Sequence, residues 1–178
     1  MPEGILVFGA NGSGKTTLGR ALASVLRCKH MDSEDYYFQE AAIPYTNPRS
    51  REECVRLMLA DIEKHGSFVL SAVTGAFGEE IASMYRLAVY IAAPKEVRMQ
   101  RIEQRGYDRF GDRVRPGGDM YEQQLGFREW AAARPLSKID EWAQTLACPL
   151  VRVDGTKAVA ENAAWIAQRY HELREVSA

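Results

Sequence analysis

Apolar residues in this chain fall either in short continuous runs or at helical spacing, and the two patterns alternate. Ile5-Leu6-Val7-Phe8 lies between Gly4 and Gly9 and is long enough for a buried strand but too short for a helix. Leu18, Ala21, Leu22 and Val25 recur at i, i+3, i+4 and i+7, which predicts an amphipathic helix from Lys15 to about Leu26. Lys29 to Met31 reads as a brief second strand ending at Asp32. Ser50-Arg51-Glu52-Glu53 has the reciprocal hydrogen-bonding pattern of a capping box and starts a helix to about Lys64, with Cys54, Leu57, Met58 and Ile62 inward.

Further strands are predicted at Phe68 to Ala72, Ala88 to Ala92 and Leu150 to Val153. Between them fall a short helix near Gly78 to Met84, a longer one from Pro94 to Arg105, and helical turns from about Met120 to Leu146. Pro94 suits a helix's first turn, where its missing N–H costs nothing. A last helix from about Ala158 to Arg174 places Val159, Ala163, Ile166, Tyr170 and Leu173 at core spacing. Strands alternating with helices point to an α/β fold with a parallel sheet covered on both faces.

Two stretches break the alternation. Ser33 to Pro48 holds Tyr36, Tyr37, Phe38 and Tyr45 with two prolines and no clear period, so it reads as irregular or partly helical. Gly106 to Gly118 is glycine-punctuated, arginine-rich and without an apolar period, the signature of a mobile or functional loop. Trp130, Trp142 and Trp165 lie on helical stretches and are expected in the core.

The 178 residues suit one domain, expected over 1–178, and 46% hydrophobic with 26% charged residues is the balance of a globular chain. A net charge of -1 argues against a surface that gathers nucleic acid. The 23 cations nevertheless divide into 17 Arg and 6 Lys, favouring the side chain whose planar fork of donors matches phosphate. Cys28, Cys54 and Cys148 form no CxxC pair, and no secretory leader or apolar span is evident, so reduced thiols and a cytoplasmic location are expected. His30, His65 and His171 have no ligand spacing, which argues against zinc.

Gly9-Ala10-Asn11-Gly12-Ser13-Gly14-Lys15-Thr16 matches G-x-x-x-x-G-K-[ST] at every fixed position, and it follows a predicted strand and opens a predicted helix. Its glycines let backbone N–H groups converge on phosphates, and the helix N-terminus adds about half a positive charge. Asn11, Gly12, Ser13, Gly14, Lys15, Thr16 and Thr17 are therefore expected to hold a nucleoside triphosphate, with Lys15 on its β- and γ-phosphates and Thr16 on Mg2+. A guanine-reading switch would need Asn-Lys-x-Asp. The nearest stretch, Ser137-Lys138-Ile139-Asp140, reads instead as a helix start capped by Ser137. The chain also leaves little room for the extra small domain of an AAA-type motor.

In the order of its parts the chain resembles the nucleoside and nucleotide kinases of the P-loop class, the adenylate-kinase-like small-molecule kinases related to shikimate and gluconate kinases. The parts are the P-loop, Asp32-x-x-Asp35, Pro94 through Arg105, a lid, and Val153-Asp154-Gly155-Thr156 after the last strand. The resemblance implies a three-layer P-loop NTPase fold with strand order 2-3-1-4-5, ATP as donor, Mg2+ as cofactor and an Arg-rich lid over residues 106–118. One departure is Ser71-Ala72-Val73-Thr74-Gly75-Ala76-Phe77-Gly78, where adenylate-kinase-like enzymes have Asp-Gly-aromatic-Pro-Arg. That places the chain nearer shikimate and gluconate kinases.

Phosphoryl transfer needs a group that orients the acceptor hydroxyl and takes its proton, together with charge compensation. Asp32, at a strand's carboxyl end, is the expected base and a holder of Mg2+, with Asp35, three residues on, the second choice for the base and beside the acceptor; either could instead cap the next turn. Arg98, Arg101 and Arg105 fall within about 60° on one helix face. Arg101 and Arg105, with Arg109, Arg113 and Arg115 of the loop, are expected to close over the phosphoryl group, whereas Arg98 is expected outside the site. Tyr36 and Tyr45 could stack on a planar acceptor, or be core; Arg49 and Arg51 could clamp an acceptor phosphate, or be ordinary helix-start charges. Thr156 is expected near the donor base, or as a helix cap. The composite expectation is a kinase acting on a small molecule, most simply a nucleoside or nucleotide, with no membrane partner. The alternative is a regulatory ATPase whose lid contacts a protein or nucleic acid.

Overall fold

A computed structural model describes residues 2–176. Its strands are β1 (Gly4–Phe8), β2 (Lys29–Asp32), β3 (Phe68–Ala72), β4 (Tyr85–Ala92) and β5 (Leu150–Asp154). Its helices are α1 (Lys15–Leu26), α2 (Ser33–Tyr37), α3 (Arg51–His65), α4 (Glu79–Ala82), α5 (Lys95–Phe110), α6 (Tyr121–Ala133), α7 (Ser137–Ala143) and α8 (Val159–Val176). The strands form one parallel sheet in the order β2-β3-β1-β4-β5, as the resemblance implies.

β1 is central, and every one of its residues is buried. A parallel strand covered on both faces needs an unbroken apolar run rather than an alternating one. The pleat divides that run between two cores. Leu6 and Phe8 pack with Met58 and Ile62 of α3 and Ile139 of α7, whereas Ile5 and Val7 pack with Leu18 and Leu22 of α1 and Ile166 of α8. These are the three layers.

α3 begins as expected, with Ser50 Oγ accepting from the amide of Glu53 at 3.2 Å. Elsewhere the boundaries move for local reasons. The helix expected to Met84 stops at Ala82, because the Met84 carbonyl accepts from the Gly4 amide at 2.8 Å and draws the chain into the sheet. β4 therefore starts three residues before the expected Ala88. α7 starts at Ser137 after Leu136, and Ser137 makes no cap hydrogen bond, contrary to the sequence reading.

The larger difference is at Gly106. The expected irregular loop begins as a continuation of α5, which runs to Phe110, and Gly111–Val114 is a short 3₁₀ turn. Gly106 is buried, and a Cβ there would lie 3.3 Å from Gln124 Oε1 of α6. A helical glycine costs about 1 kcal/mol, and this close approach of α6 is what it permits. Trp142 packs edge-on against Phe8, as a core residue should. Trp130 and Trp165 are exposed, because each lies on the outer face of its helix. Among the described residues no helix is long and apolar enough to cross a membrane.

α1 approaches β3 through Gly19. A methyl group there would collide with Ser71 Oγ and His30 Nε2. Gly19→Ala should therefore cost about 1–3 kcal/mol of unfolding free energy through overpacking, read as a lower urea midpoint. An unchanged midpoint would mean that α1 has slack against the sheet.

Candidate functional site

Residues 9–14 turn from β1 into α1 at the carboxyl end of the sheet. Gly12 and Gly14 have φ of 81° and 104°, backbone that an L side chain rarely adopts. A Cβ at Gly12 would also strike the Arg98 carbonyl. Gly14 is the N-cap of α1 and supplies no side-chain cap, so the first amides of the helix remain available to an anion.

Two arginines of α5 fasten this turn from behind. Arg98 is buried and donates to the Asn11 carbonyl at 3.3 Å. Arg101 donates to the carbonyls of Ser13 at 3.1 Å and Gly155 at 2.8 Å. Ser13 is itself buried, with no partner for its Oγ among the described residues.

Lys15 Nζ donates to the Ala10 carbonyl at 3.0 Å. Burial lowers the ammonium's pKa to about 8; the carboxylates of Glu34 and Asp32 oppose this, and Arg105 and Arg134 reinforce it. A desolvated cation beside two further cations is stabilised by an entering phosphate. The loop opens on a cavity of about 400 Å³ bordered by Gly12, Gly14, Lys15, Thr16, Thr17, Arg101 and Arg105. Gly155, Lys157 and Asn162 close its other side. Thr156 does not border it, because Asp154 accepts both its amide at 2.8 Å and its hydroxyl at 2.6 Å; those bonds hold the Asp154 carboxyl below its ordinary pKa.

Asp32 does two things at once. Its Oδ2 accepts from Thr16 Oγ1 at 2.5 Å, and its Oδ1 accepts from the Glu34 amide at 3.1 Å as the N-cap of α2. Under the loop, Ser71 Oγ donates to the Lys15 carbonyl at 3.1 Å and meets His30 Nε2 at 2.9 Å. The serine thus occupies, as a neutral support for the start of α1, the strand end where the sequence lacks an acid.

No cluster of three or more His, Cys, Asp or Glu side chains able to hold a metal occurs among the described residues. The Thr16 and Asp32 oxygens fit Mg2+ nonetheless. That cation favours oxygen, and it is commonly held by one or two protein groups with substrate phosphates completing the set.

A second cavity, about 250 Å³, adjoins the first, and Arg105 borders both. Its walls are Phe38, Tyr45, Phe110 and Phe127, with Glu34, Arg109, Gln123 and Gln124. Tyr45 stands edge-on to Phe38 and Phe110, with centroids 5.3 and 6.4 Å away, and has a φ of 66°. Its hydroxyl accepts from Arg109 at 2.8 Å. Arg113 donates to the Ala42 carbonyl at 3.2 Å and Gln123 to the Pro44 carbonyl at 2.9 Å, so the 38–48 segment is pinned to α5, α6 and the turn between them.

The sequence-derived site is thereby sorted. Lys15, Thr16, Thr17, Arg101 and Arg105 border the first cavity, Asp32 is tied to it through Thr16, and Tyr45 and Arg109 border the second with Arg105. Tyr36 is turned into the core, its hydroxyl donating to Asp61 at 2.6 Å and its pKa driven up chiefly by burial. Asp35 is exposed on α2. Arg49 is spent on the carbonyls of Asp35, Tyr36 and Phe38 and on Glu53 at 3.7 Å, and Arg51 on the Ala76 carbonyl at 2.5 Å. Arg113 is paired with Asp119 at 2.8 Å, and Arg115 with Asp112 at 3.5 Å while its guanidinium covers Tyr107. Three groups had no signal that singled them out: Gln123, Arg134 and Asn162. Glu34, also missed, had a local clue, two residues after Asp32 in the first turn of α2.

Residues 5–126 match the protein family described as AAA domain. The uncharacterized protein YqaC of Bacillus subtilis is 30% identical over 170 residues, covering 91% of this chain and 94% of that protein. A shikimate kinase from Acinetobacter baumannii, solved in complex with shikimate, superposes with a TM-score of 0.58 at 21% identity, over 97% of this chain and 94% of its own. A sugar kinase from Janibacter sp. HTCC2649 superposes with a TM-score of 0.52 at 16% identity, over 97% and 96% of the two chains. The fold is therefore that of the small P-loop kinases.

The lowered pKa of Lys15 has a measurable sign. Below about pH 8 the lysine is already charged, and bound phosphate raises its pKa. Above that pH, binding of a nucleoside triphosphate should take up a proton, and affinity should fall by up to about tenfold per pH unit. Calorimetry in two buffers of different ionisation heat reads the uptake directly. Lys15→Met should abolish it, and a pH-independent affinity would contradict the burial argument.

Proposed function

The chain belongs to the AAA domain family, and from that premise we propose that it is a phosphotransferase moving the γ-phosphoryl group of Mg-ATP to a small molecule, a nucleoside or nucleotide. The observation that carries the reading is the pair of adjoining cavities with Arg105 in the wall of both. One is suited to a polyphosphate, and the other is walled by aromatic side chains together with Glu34, Arg105, Arg109 and two glutamines. A regulatory ATPase has need of the first cavity only. The shikimate held by a structural neighbour supports a small hydroxyl-bearing acceptor in the second.

In this reading the loop amides and Lys15 hold the β- and γ-phosphates. Bound Mg2+ would neutralise charge on those oxygens, with Thr16 and Asp32 as its protein-side groups. Asp32 is occupied by Thr16 and by the cap of α2, which favours Glu34 as the group that takes the acceptor's proton. Glu34 borders the acceptor cavity and also acts electrostatically on Lys15, so it stands between the two halves. Arg105 supplies charge at the junction and Arg109 reaches the acceptor side, while Arg101 positions the loop that binds the donor. Residues 111–118 act as a lid, and Arg113 within them joins Arg109 of α5 and Gln123 of α6 in holding the 38–48 segment over the acceptor, excluding water that would otherwise compete for the phosphoryl group. Three free thiols and a need for ATP suit the cytoplasm.

ADP formation should depend on a small hydroxyl acceptor. Glu34→Gln and Asp32→Asn should each lower kcat by about 10²- to 10⁴-fold, with the ATP KM little changed for Glu34→Gln. ATP turnover stimulated by a protein or nucleic acid, and indifferent to small acceptors, would replace this reading with that of a regulatory ATPase.

A further inference from the structure

The first cavity has two ends of different chemistry. Gly12, Gly14, Lys15, Thr16 and Thr17 form the end that suits phosphates, and Gly155, Lys157, Val159 and Asn162 form the other. A nucleotide whose phosphates sit on the loop directs its base toward this second end. Thr156, the residue expected there from sequence, is bonded to Asp154 and does not border the cavity, so the base meets other groups.

The wall at that end is held by its backbone. The Gly155 amide donates to the Ala92 carbonyl at 2.7 Å, and the Gly155 carbonyl accepts from Arg101 at 2.8 Å. The Asp154 carbonyl accepts from Asn162 Nδ2 at 2.9 Å. Val159 and Asn162 are three apart on α8 and so share one face. Val159 offers the cavity an apolar surface, and Asn162 offers a polar one.

Asn162 is only 7% exposed. Asparagine is a poor helix former, so its place near the start of α8 calls for a reason, and support of the Asp154 carbonyl uses only its NH2 group. A carbonyl cannot donate, so that bond fixes which way the amide is turned and leaves Oδ1 on the other arm. Among the described residues Oδ1 accepts from no group, and unlike Ser13 Oγ and Gln123 Oε1 it is not sealed from the surface. A largely desolvated carbonyl oxygen without a partner is costly, and a ligand N–H relieves it.

We propose that Asn162 reads the base of the donor nucleotide, its Oδ1 accepting a hydrogen bond from the 6-amino group of adenine. This rests on the triphosphate-binding half of the phosphotransferase reading and adds to it a residue that sets the choice of donor. Position 6 lies at the end of a purine remote from the ribose, the end that meets the wall opposite the loop. A 6-oxopurine puts a second acceptor against Oδ1 there, and a purine with only hydrogen at that position leaves Oδ1 unmet. The amide cannot turn over to suit a 6-oxopurine without giving up the Asp154 carbonyl.

The test is calorimetric binding of ATP, ITP and purine riboside triphosphate to the full chain. These ligands share everything but the groups at and beside position 6, and binding depends on neither turnover nor the acceptor. ATP should bind at least about tenfold more tightly than either analogue. Asn162→Leu, or Asn162→Ala should the leucine variant not fold, should bring the three affinities within about twofold of one another. An asparagine that only supports Asp154 would weaken all three alike and keep their ratio. Equal affinities in the unmodified protein, or a preference for ATP that survives both substitutions, overturn the assignment and leave the phosphotransferase reading standing. Failure of all three to bind overturns both.

Discussion

The desolvated ammonium of Lys15 is the constraint around which the structure is arranged. Removing a cation from water is unfavourable, and the partial remedies within the chain are one carbonyl and two carboxylates acting at a distance. The turn that holds it requires left-handed backbone at Gly12 and Gly14 and relies on β1 and α1 to fix its ends. β1 is buried on both faces, so the loop stands on the least deformable part of the sheet. His30 and Ser71 support the Lys15 carbonyl from below, and Gly19 keeps α1 close enough for that contact.

Arginine chemistry divides into two roles along α5. Arg98 and Arg101 donate inward to loop carbonyls and shape the cavity from behind, whereas Arg105 and Arg109 lie further along the same helix and border open space. The local arginine excess is thus partly a scaffold for backbone oxygens and only partly a lining of the cavities. The same division holds for Arg49, whose guanidinium gathers three carbonyls of the 35–38 segment and so sets where the aromatic wall begins.

How legible the site was from sequence depended on the distance over which each feature is determined. The P-loop and its strand and helix are specified within about twenty residues by glycine conformation and apolar period, and they were readable in full. Strand order 2-3-1-4-5 came through the resemblance. Asp32 was readable as a strand-end acid, but that Glu34 borders the second cavity while Asp35 is exposed turned on α2 beginning directly after Asp32, a one-residue matter of capping. Tyr36 and Tyr45 look alike in sequence, and only packing against α3 sends one into the core with Asp61 while the other faces the cavity. Gly106 misled because a glycine among charges resembles a hinge, although here it admits α6. Gln123, Arg134 and Asn162 reach the site from far along the chain, through packing that no local spacing encodes.

Two cavities with a shared arginine make a specific claim, that the phosphoryl group leaves the first cavity only to enter the second. The most direct measurement follows the label of γ-labelled ATP in the presence and absence of a nucleoside. Label recovered on the nucleoside in step with ADP is the predicted result. Label released as inorganic phosphate at the same rate with and without the nucleoside would contradict the account.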